Sequence, residues 1–384
     1  MPFGWKVFEA NPVFIFSITS DGMVIDVNDY RAIFSLFPMS EQRRVSYADI
    51  AKRVGYHRST VGLALRNHPG IPEKTKDKIR KVAEQMGYRP DPMLSSVGRY
   101  QRRGSTEKNF NTIALLFDDP IDSDWRHSRH TCRDYIIGAK ERAEELGFHT
   151  DEFSVGLNRE YEKRVDQVLR SRGIQSIIVC PLRNQVLPLN INWENYSAVA
   201  LGYSLPAPNL IRITSQHRTG AADVVKGLYG AGYRRLGLAL CQVHDQRVDC
   251  GWSAGFYSAC MDPALKGLEY ATFMPPGEEA LTTNRLMDWI QTSQVDAIIV
   301  AQVNLCERLE EAGFKIPNKL GIAYLDRPPE RLDLAGIDQL AIDIGRQAVD
   351  QVAGLYAHYQ RGLPGNRLII TVKGKWVSGS SIHK

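Results

Sequence analysis

From Asn111 onward, short apolar runs alternate with longer amphipathic stretches. The runs are "TIALLF" from 112, "SIIVCP" from 176, "SAVAL" from 197, "RLGLAL" from 235, "DAIIVA" from 296, "LGIAYL" from 320 and "RLIITV" from 367. Each is strand-sized and nearly continuous in its apolar character. Between them, 131–146, 159–171, 218–230, 280–292 and 340–359 carry helical periodicity. Such strands joined by crossover helices predict a parallel sheet covered on both faces. About 270 residues are enough for two lobes of this kind.

The pattern upstream differs. Residues 45–90 read as helices alone. "YADIAKRV" puts Tyr47, Ile50, Ala51 and Val54 on one face, with Ser46 as N-cap and Gly55 as its end. After about three residues of turn, "RSTVGLALR" forms a second short helix. "EKTKDKIRKVAEQMG" sets Ile79, Val82, Ala83 and Met86 on a third helix that stops at Gly87. Three short helices with a tight first turn fit a helix-turn-helix unit. "YRPDPMLSSVGRYQRRGSTEKN" then reads as a linker with room for one helical turn at Met93–Val97. The chain thus divides into an extension (1–42), a helix-turn-helix domain (43–90), a hinge or linker (91–108) and an α/β body (109–384).

The extension stays open between two readings. "FIFSITSDGMVIDVND" forms two short strands around an Asp-Gly turn and resembles the opening hairpin of a PAS sensor domain, at about a third of the length of one. Alternatively, translation starts at Met39 and the residues before it are not native.

Charge sharpens the division. The chain carries +5 overall, but residues 43–103 hold 15 Lys and Arg against 5 Asp and Glu. A basic module on an acidic body points to a polyanion partner for that module. No stretch approaches the ~20 apolar residues needed to cross a membrane, and the run at Val13–Ile18 lacks the basic flank of a secretory signal. Six scattered cysteines with no C-x-x-C pair read as reduced core thiols in a cytoplasmic protein, not as disulfides or a zinc site. No P-loop, H-E-x-x-H or dinucleotide fingerprint occurs, so neither cofactor nor metal is expected.

A helix entering a major groove needs donors near its start and a buried apolar side. "HRSTVGLALR" supplies His57, Arg58, Ser59 and Thr60 at the start, with Val61, Ala64 and Leu65 behind. Leu63 then projects near Arg58 and Ser59, within reach of a thymine methyl. Gly62, inside the helix, costs ~1 kcal/mol relative to Ala. Lys74, Lys76, Lys78 and Lys81 read as solvated charges.

The stretch "VSYADIAKRVGYHRSTVGLALRNHPGIPEKTKDKIRKVAEQMGYRPDP" resembles, without a gap over about 48 residues, the head of the LacI/GalR family of bacterial regulators. The resemblance implies that Arg58, Ser59 and Leu63 read bases while Ser46, Tyr47, Thr60, Arg66 and Asn67 face the DNA backbone. Tyr56 and His57 replace the familiar Val-Ser of the turn, and Gly62 the following Ser, which puts the family's usual operator preference in doubt. In that family the segment after the head folds on DNA and wedges an apolar residue into the minor groove. Val97 stands where Leu is usual, with Met93 and Leu94 one turn earlier.

The resemblance continues more weakly through "AADVVKGLYGAGYRRLGLAL", "LEEAGFKIPNKLGIAYLDRPP" and "GIDQLAIDIGRQAVDQV". It implies a type I periplasmic-binding-protein-like body of two doubly wound lobes, with three crossings and an effector cleft. Effector contacts would come from Asp118, Arg247, Trp252, Gln302, Asp326 and Gln339, although Ala301-Gln302-Val303 replaces the frequent Ala-Asn-Asp. Polar groups and an indole together suit a polyhydroxylated ligand, so a carbohydrate is expected. The implied protein is a repressor, a homodimer on a pseudo-palindromic operator; "SGSSIHK", directly after the last apolar run, leaves no heptad segment for a tetramer.

One rival motif exists. "GWSAG" (251–255) matches the G-x-S-x-G nucleophile elbow of serine hydrolases, with Asp326 and His358 as partners. That elbow follows a strand directly. Here "RLGLAL" ends about a dozen residues earlier, and His358 falls inside a helical run.

Overall fold

A computed structural model describes residues 45–65, 68, 70–88, 112–118, 130–155, 158–182, 188–302 and 304–383. The extension and the linker lie outside them, so neither reading of residues 1–42 is decided.

The head is built from α1 (Tyr47–Val54), α2 (Arg58–Leu65) and α3 (Glu73–Gln85). Ser46 caps α1 in a reciprocal box: its hydroxyl accepts from the Asp49 amide while the Asp49 carboxylate accepts from the Ser46 amide. Gly55 ends the helix with φ of 76°, a left-handed turn that costs glycine nothing. Ile50, Val61, Ala64 and Ile79 are fully buried at the centre. Gly62 is buried with them, on the inner side of α2. Lys76 departs from expectation: it is buried and paired with Glu73 at 3.0 Å. The i,i+3 spacing lets the lysine stem cover the core while its ammonium meets the carboxylate.

The body holds two six-stranded sheets. In the N-terminal lobe, β1 (Thr112–Phe117), β2 (His149–Ser154), β3 (Ser176–Val179), β4 (Ser197–Leu201), β5 (Ile211–Ser215) and β11 (Ile369–Val372) lie in the order 11-5-4-3-1-2, all parallel. In the C-terminal lobe, β6 (Arg235–Ala239), β7 (Glu269–Phe273), β8 (Ala297–Val300), β9 (Gly321–Tyr324), β10 (Ala335–Asp338) and β12 (Lys375–Val377) lie in the order 12-10-9-8-6-7. Only β12 runs antiparallel to its neighbour in this sheet.

Both sheets are covered twice. Helices α4 (His130–Glu145) and α11 (Ala341–Ala357) cover one face of the first, and α5 (Arg159–Ser171) the other. On the second sheet, α6 (His217–Gly230) and α8 (Gly251–Cys260) face α9 (Thr283–Ser293) and α10 (Leu305–Glu311) across the strands. This explains the continuous apolar runs: β3, β4, β8 and β9 are buried at every position. The chain crosses between lobes at β5–α6, at β10–α11 and between β11 and β12. Each crossing helix packs on the lobe it enters, not the one it leaves.

The crossing helices sit unusually close to their partners. A Cβ on Gly345 of α11 would lie 2.1 Å from the Tyr135 carbonyl oxygen of α4, and one on Gly138 of α4 would lie 2.0 Å from that of Ile342. Gly255 of α8 meets the Arg218 carbonyl of α6 in the same way, at 2.1 Å. Backbone meets backbone at these points, so no side chain fits. Among the cysteines, Cys180, Cys241, Cys260 and Cys306 are buried, while Cys250 is exposed. Burial pushes the Cys260 and Cys306 thiols up to about 12, which keeps them unreactive.

Two glycines of one helix give a paired test. Gly345→Ala should destabilise the protein by about 1–3 kcal/mol, because α11 must leave α4. Gly354→Ala, where nothing lies within 4 Å, should stabilise it by up to about 1 kcal/mol through helix propensity. Thermal unfolding of both variants checks this; equal effects would contradict the close crossing.

Candidate functional sites in the head and between the lobes

In the head, the turn and the start of α2 form one exposed run: Tyr56, His57, Arg58 and Ser59 all face solvent. Thr60 and Leu63 are half-buried beside it. His57 serves the helix first. Its Nδ1 lies 2.8 Å from the Ser59 hydroxyl and accepts from the Ser59 amide at 3.4 Å, filling the role of an N-cap. The Tyr56 ring carries the Lys78 ammonium at 5.4 Å. Tyr47, half-buried, packs its ring 5.6 Å from that of Tyr88. Arg66, Asn67, Met93, Leu94 and Val97 lie outside the described residues.

Between the lobes lies a cavity of about 1030 Å³. Trp252, Gln302 and Asp326 line it, together with Arg133, Glu330 and Arg331. Thr282 and Thr283, at the start of α9, and Arg308 of α10 add a polar wall. Most of these residues follow the C-terminal ends of strands, where doubly wound sheets place their ligand sites. Arg247 lines an adjoining cavity of about 700 Å³ instead, and its Nη2 donates to the Leu182 carbonyl of the other lobe at 2.7 Å.

The remaining two candidates stand elsewhere. Gln339 is buried, and its side-chain amide donates to the Leu325 carbonyl at 3.0 Å; it shapes the β10–α11 crossing and does not line the cavity. Asp118, just after β1, is half-buried and lines neither cavity.

Two contacts join the lobes across the larger cavity. The Thr131 hydroxyl donates to Asp326 Oδ2 at 2.5 Å, and Arg133 reaches Glu330 at 3.5 Å. Arg331 is held by Glu307 and Asp333, and its guanidinium keeps the Asp333 carboxyl below the usual carboxylate range. His217, the first residue of α6, stands at a lobe crossing. Its Nε2 lies 3.3 Å from the Thr214 hydroxyl, and its ring meets Trp252 edge-on at 5.4 Å. Burial pushes its pKa down to about 4, against the opposing pull of Asp326.

Sequence reasoning missed His217, Arg133, His244, Glu278 and Arg308. Glu278 follows β7, whose "EYATF" is a partly exposed edge strand with no apolar run to announce it. Ser253 sits in the first turn of α8, preceded by α7 (Gln242–Gln246) and the left-handed pair Asp249–Cys250, not by a strand. Its hydroxyl donates to the Cys250 carbonyl at 3.3 Å, and His358 ends α11. The nucleophile elbow is therefore absent. Among the described residues, no group of three or more His, Cys, Asp or Glu could hold a metal ion, and no helix is long and apolar enough to cross a membrane.

The described residues thus combine a three-helix head of helix-turn-helix type with a two-lobed α/β body that has a polar cleft at its strand ends. Residues 47–91 match the family model of bacterial regulatory proteins, lacI family. The HTH-type transcriptional repressor CytR of Escherichia coli (strain K12) is 23% identical over 361 residues, spanning 86% of this chain and 96% of that protein. The fold is similar to that of the transcriptional regulator CelR in its complex with cellobiose, with TM-score 0.56 and 14% identity over 88% of this chain and 100% of that one. It is also similar to the Lac repressor dimer bound to operator and the anti-inducer ONPF, with TM-score 0.53 and 16% identity over 89% and 100%. The head thus matches the DNA-binding domain of the lacI family of bacterial regulatory proteins, and the whole chain is similar in sequence and fold to regulators of that kind.

His217 yields a pH prediction. Folded, it stays neutral down to about pH 4; unfolded, it takes up a proton near 6.5. The unfolded chain binds more protons in that window, so stability falls as pH drops from about 6.5 to about 4. His217→Gln should lose less stability between those values than the parent in chemical denaturation. Equal losses would show that the imidazole is not held neutral by the fold.

Proposed function

We propose that this protein is a cytoplasmic, homodimeric, sequence-specific DNA-binding repressor whose hold on a pseudo-palindromic operator is set by a sugar or sugar derivative bound between its lobes. The observation that carries this reading is the exposed run from Tyr56 to Ser59, fixed by a capped and buried three-helix core on the chain's most basic module. That geometry leaves Arg58 and Ser59 at the tip of a helix sized for the major groove. Leu63 supplies an apolar contact beside them. Ser46, Tyr47, Thr60, Arg66 and Asn67 then face the backbone, and Met93, Leu94 and Val97 supply the minor-groove wedge.

The dimer follows from operator symmetry: two heads on two half-sites about one helical turn or a multiple apart. The Lac repressor complex with operator, itself a dimer, supports this assignment. For the effector, Gln302 and Asp326 offer an amide and a carboxylate to hydroxyls, and Trp252 offers an aromatic surface. The cellobiose complex of CelR, a protein of similar fold, supports a carbohydrate effector. Binding there would alter the Thr131–Asp326 and Arg133–Glu330 contacts between lobes, which is coupling of two sites without chemistry. On this reading the protein is not an enzyme.

Fluorescence anisotropy with a selected duplex tests the head. Affinity should fall steeply with salt, since phosphate contacts release counterions. Arg58→Ala should lose about 1–3 kcal/mol on the selected site and far less on random duplex. Equal losses on both would reduce Arg58 to a phosphate contact, and an affinity indifferent to salt would contradict DNA binding by this module.

A further inference from the structure

The two interlobe cavities share a wall. His244 and Glu278 line both, joined by a hydrogen bond of 2.5 Å between Nε2 and Oε1. The smaller cavity is closed on one side by Tyr203, Ser204 and Pro206 of the N-terminal lobe, and on the other by Gln246, Arg247 and Glu279 of the C-terminal lobe. An aromatic row passes from one cavity to the other. Tyr203 lines the smaller, Trp252 the larger, and His217 stands between them, 6.4 Å from the first ring and 5.4 Å from the second. The Tyr203 and Trp252 rings are therefore no more than about 12 Å apart, the scale of two linked sugar rings.

Both ends of the row are built, not incidental. Arg212, buried in β5, donates to the Gly202 and Leu205 carbonyls at 3.1 and 2.6 Å, and its guanidinium lies 5.9 Å from the Tyr203 ring. The loop that carries Tyr203 is thus fixed from below. Each end pairs its aromatic ring with small polar groups: Ser204, Gln246 and Arg247 by Tyr203, and Gln302, Thr282 and Thr283 by Trp252.

Among the described residues, one side chain that lines the larger cavity keeps a buried polar atom without a hydrogen-bond partner. That atom is Gln302 Oε1; His217 Nδ1 and Arg212 Nε, on residues that line neither cavity, are buried without partners as well. Leaving such groups unpaired costs about 1–3 kcal/mol each, so a ligand that supplies the missing partners is favoured. A sugar hydroxyl in the larger cavity can donate to the Gln302 oxygen and so satisfy it. Charge argues against an anion. Around the larger cavity three arginines face Glu278, Asp326 and Glu330, and Arg133 and Arg331 are already bonded to carboxylates. The volume of about 1030 Å³ lies at the upper end of the usual range for small-molecule sites, before the second cavity is added.

We propose that the effector is a neutral disaccharide, one ring resting on Trp252 and the other on Tyr203, its linkage passing the His244–Glu278 wall. This rests on the reading of the cleft as a sugar site. A single ring would engage one aromatic end only.

The test is isothermal titration calorimetry of the full chain with cellobiose, maltose, lactose and sucrose, each matched by its constituent glucose, galactose or fructose. One disaccharide should bind at least about tenfold tighter than either of its component sugars. Tyr203→Ala should remove about tenfold from that affinity, Tyr203→Phe should keep it within about threefold, and neither should change the affinity for the sugar held at Trp252 by more than about twofold. Circular dichroism verifies that both variants fold. A monosaccharide that binds as tightly as every disaccharide, or a Tyr203→Ala variant with unchanged disaccharide affinity, overturns the proposal and leaves the sugar reading in place. Silence of all seven sugars overturns the sugar reading itself, and this proposal with it.

Discussion

The direct contact of α11 with α4, backbone against backbone at Gly345 and Gly138, is the constraint on which the two-lobed body depends. Helix α11 leaves the C-terminal lobe at β10 and must seat on the N-terminal sheet before the chain returns through β11 and β12. It seats only because no side chain separates it from α4. The same solution recurs where α8 meets α6, the other crossing helix, at Gly255. With the crossings pinned this way, the strand ends of the two sheets are brought to face one another. The cleft is the space left between them. Thr131 and Arg133, on the first turn of α4, reach Asp326 and Glu330 from that position.

Central strands were legible because burial on both faces leaves a continuous apolar run. The seven runs read from sequence all became strands: β1, β3, β4, β6, β8, β9 and β11. Strands without that burial were not legible. β2 reads "HTDEFS" and β7 reads "EYATF", both edge strands with polar or exposed positions. β5, β10 and β12, three to five residues long, also escaped: "IRITS", "AGID" and "KWV" each include a charged residue and form no continuous apolar run. Helix α8, "GWSAGFYSAC", is apolar on every side and so shows no helical stripe.

The functional residues divide along the same line. In the head, local signals sufficed: Ser46, Gly55 and the apolar spacing fixed three helices, and the exposed run of α2 followed. Lys76 was misread because its burial depends on a partner three residues away. In the cleft, three of the residues that the resemblance implies, Trp252, Gln302 and Asp326, line the larger cavity. Gln339 was misread, because polarity alone does not tell a ligand contact from a side chain that bonds a neighbouring carbonyl. His217, His244 and Glu278 come together only through the crossings and an edge strand, which no local pattern records.

On the proposed function, the exposed run at the start of α2 reads DNA by sequence, with two heads on one operator. Selection of binding sites by the full chain from a pool of random duplexes tests it most directly. One enriched pseudo-palindrome is expected, with half-sites about one helical turn, or a multiple of it, apart. A pool that emerges without any enriched motif, or with a single unrepeated one, would contradict it.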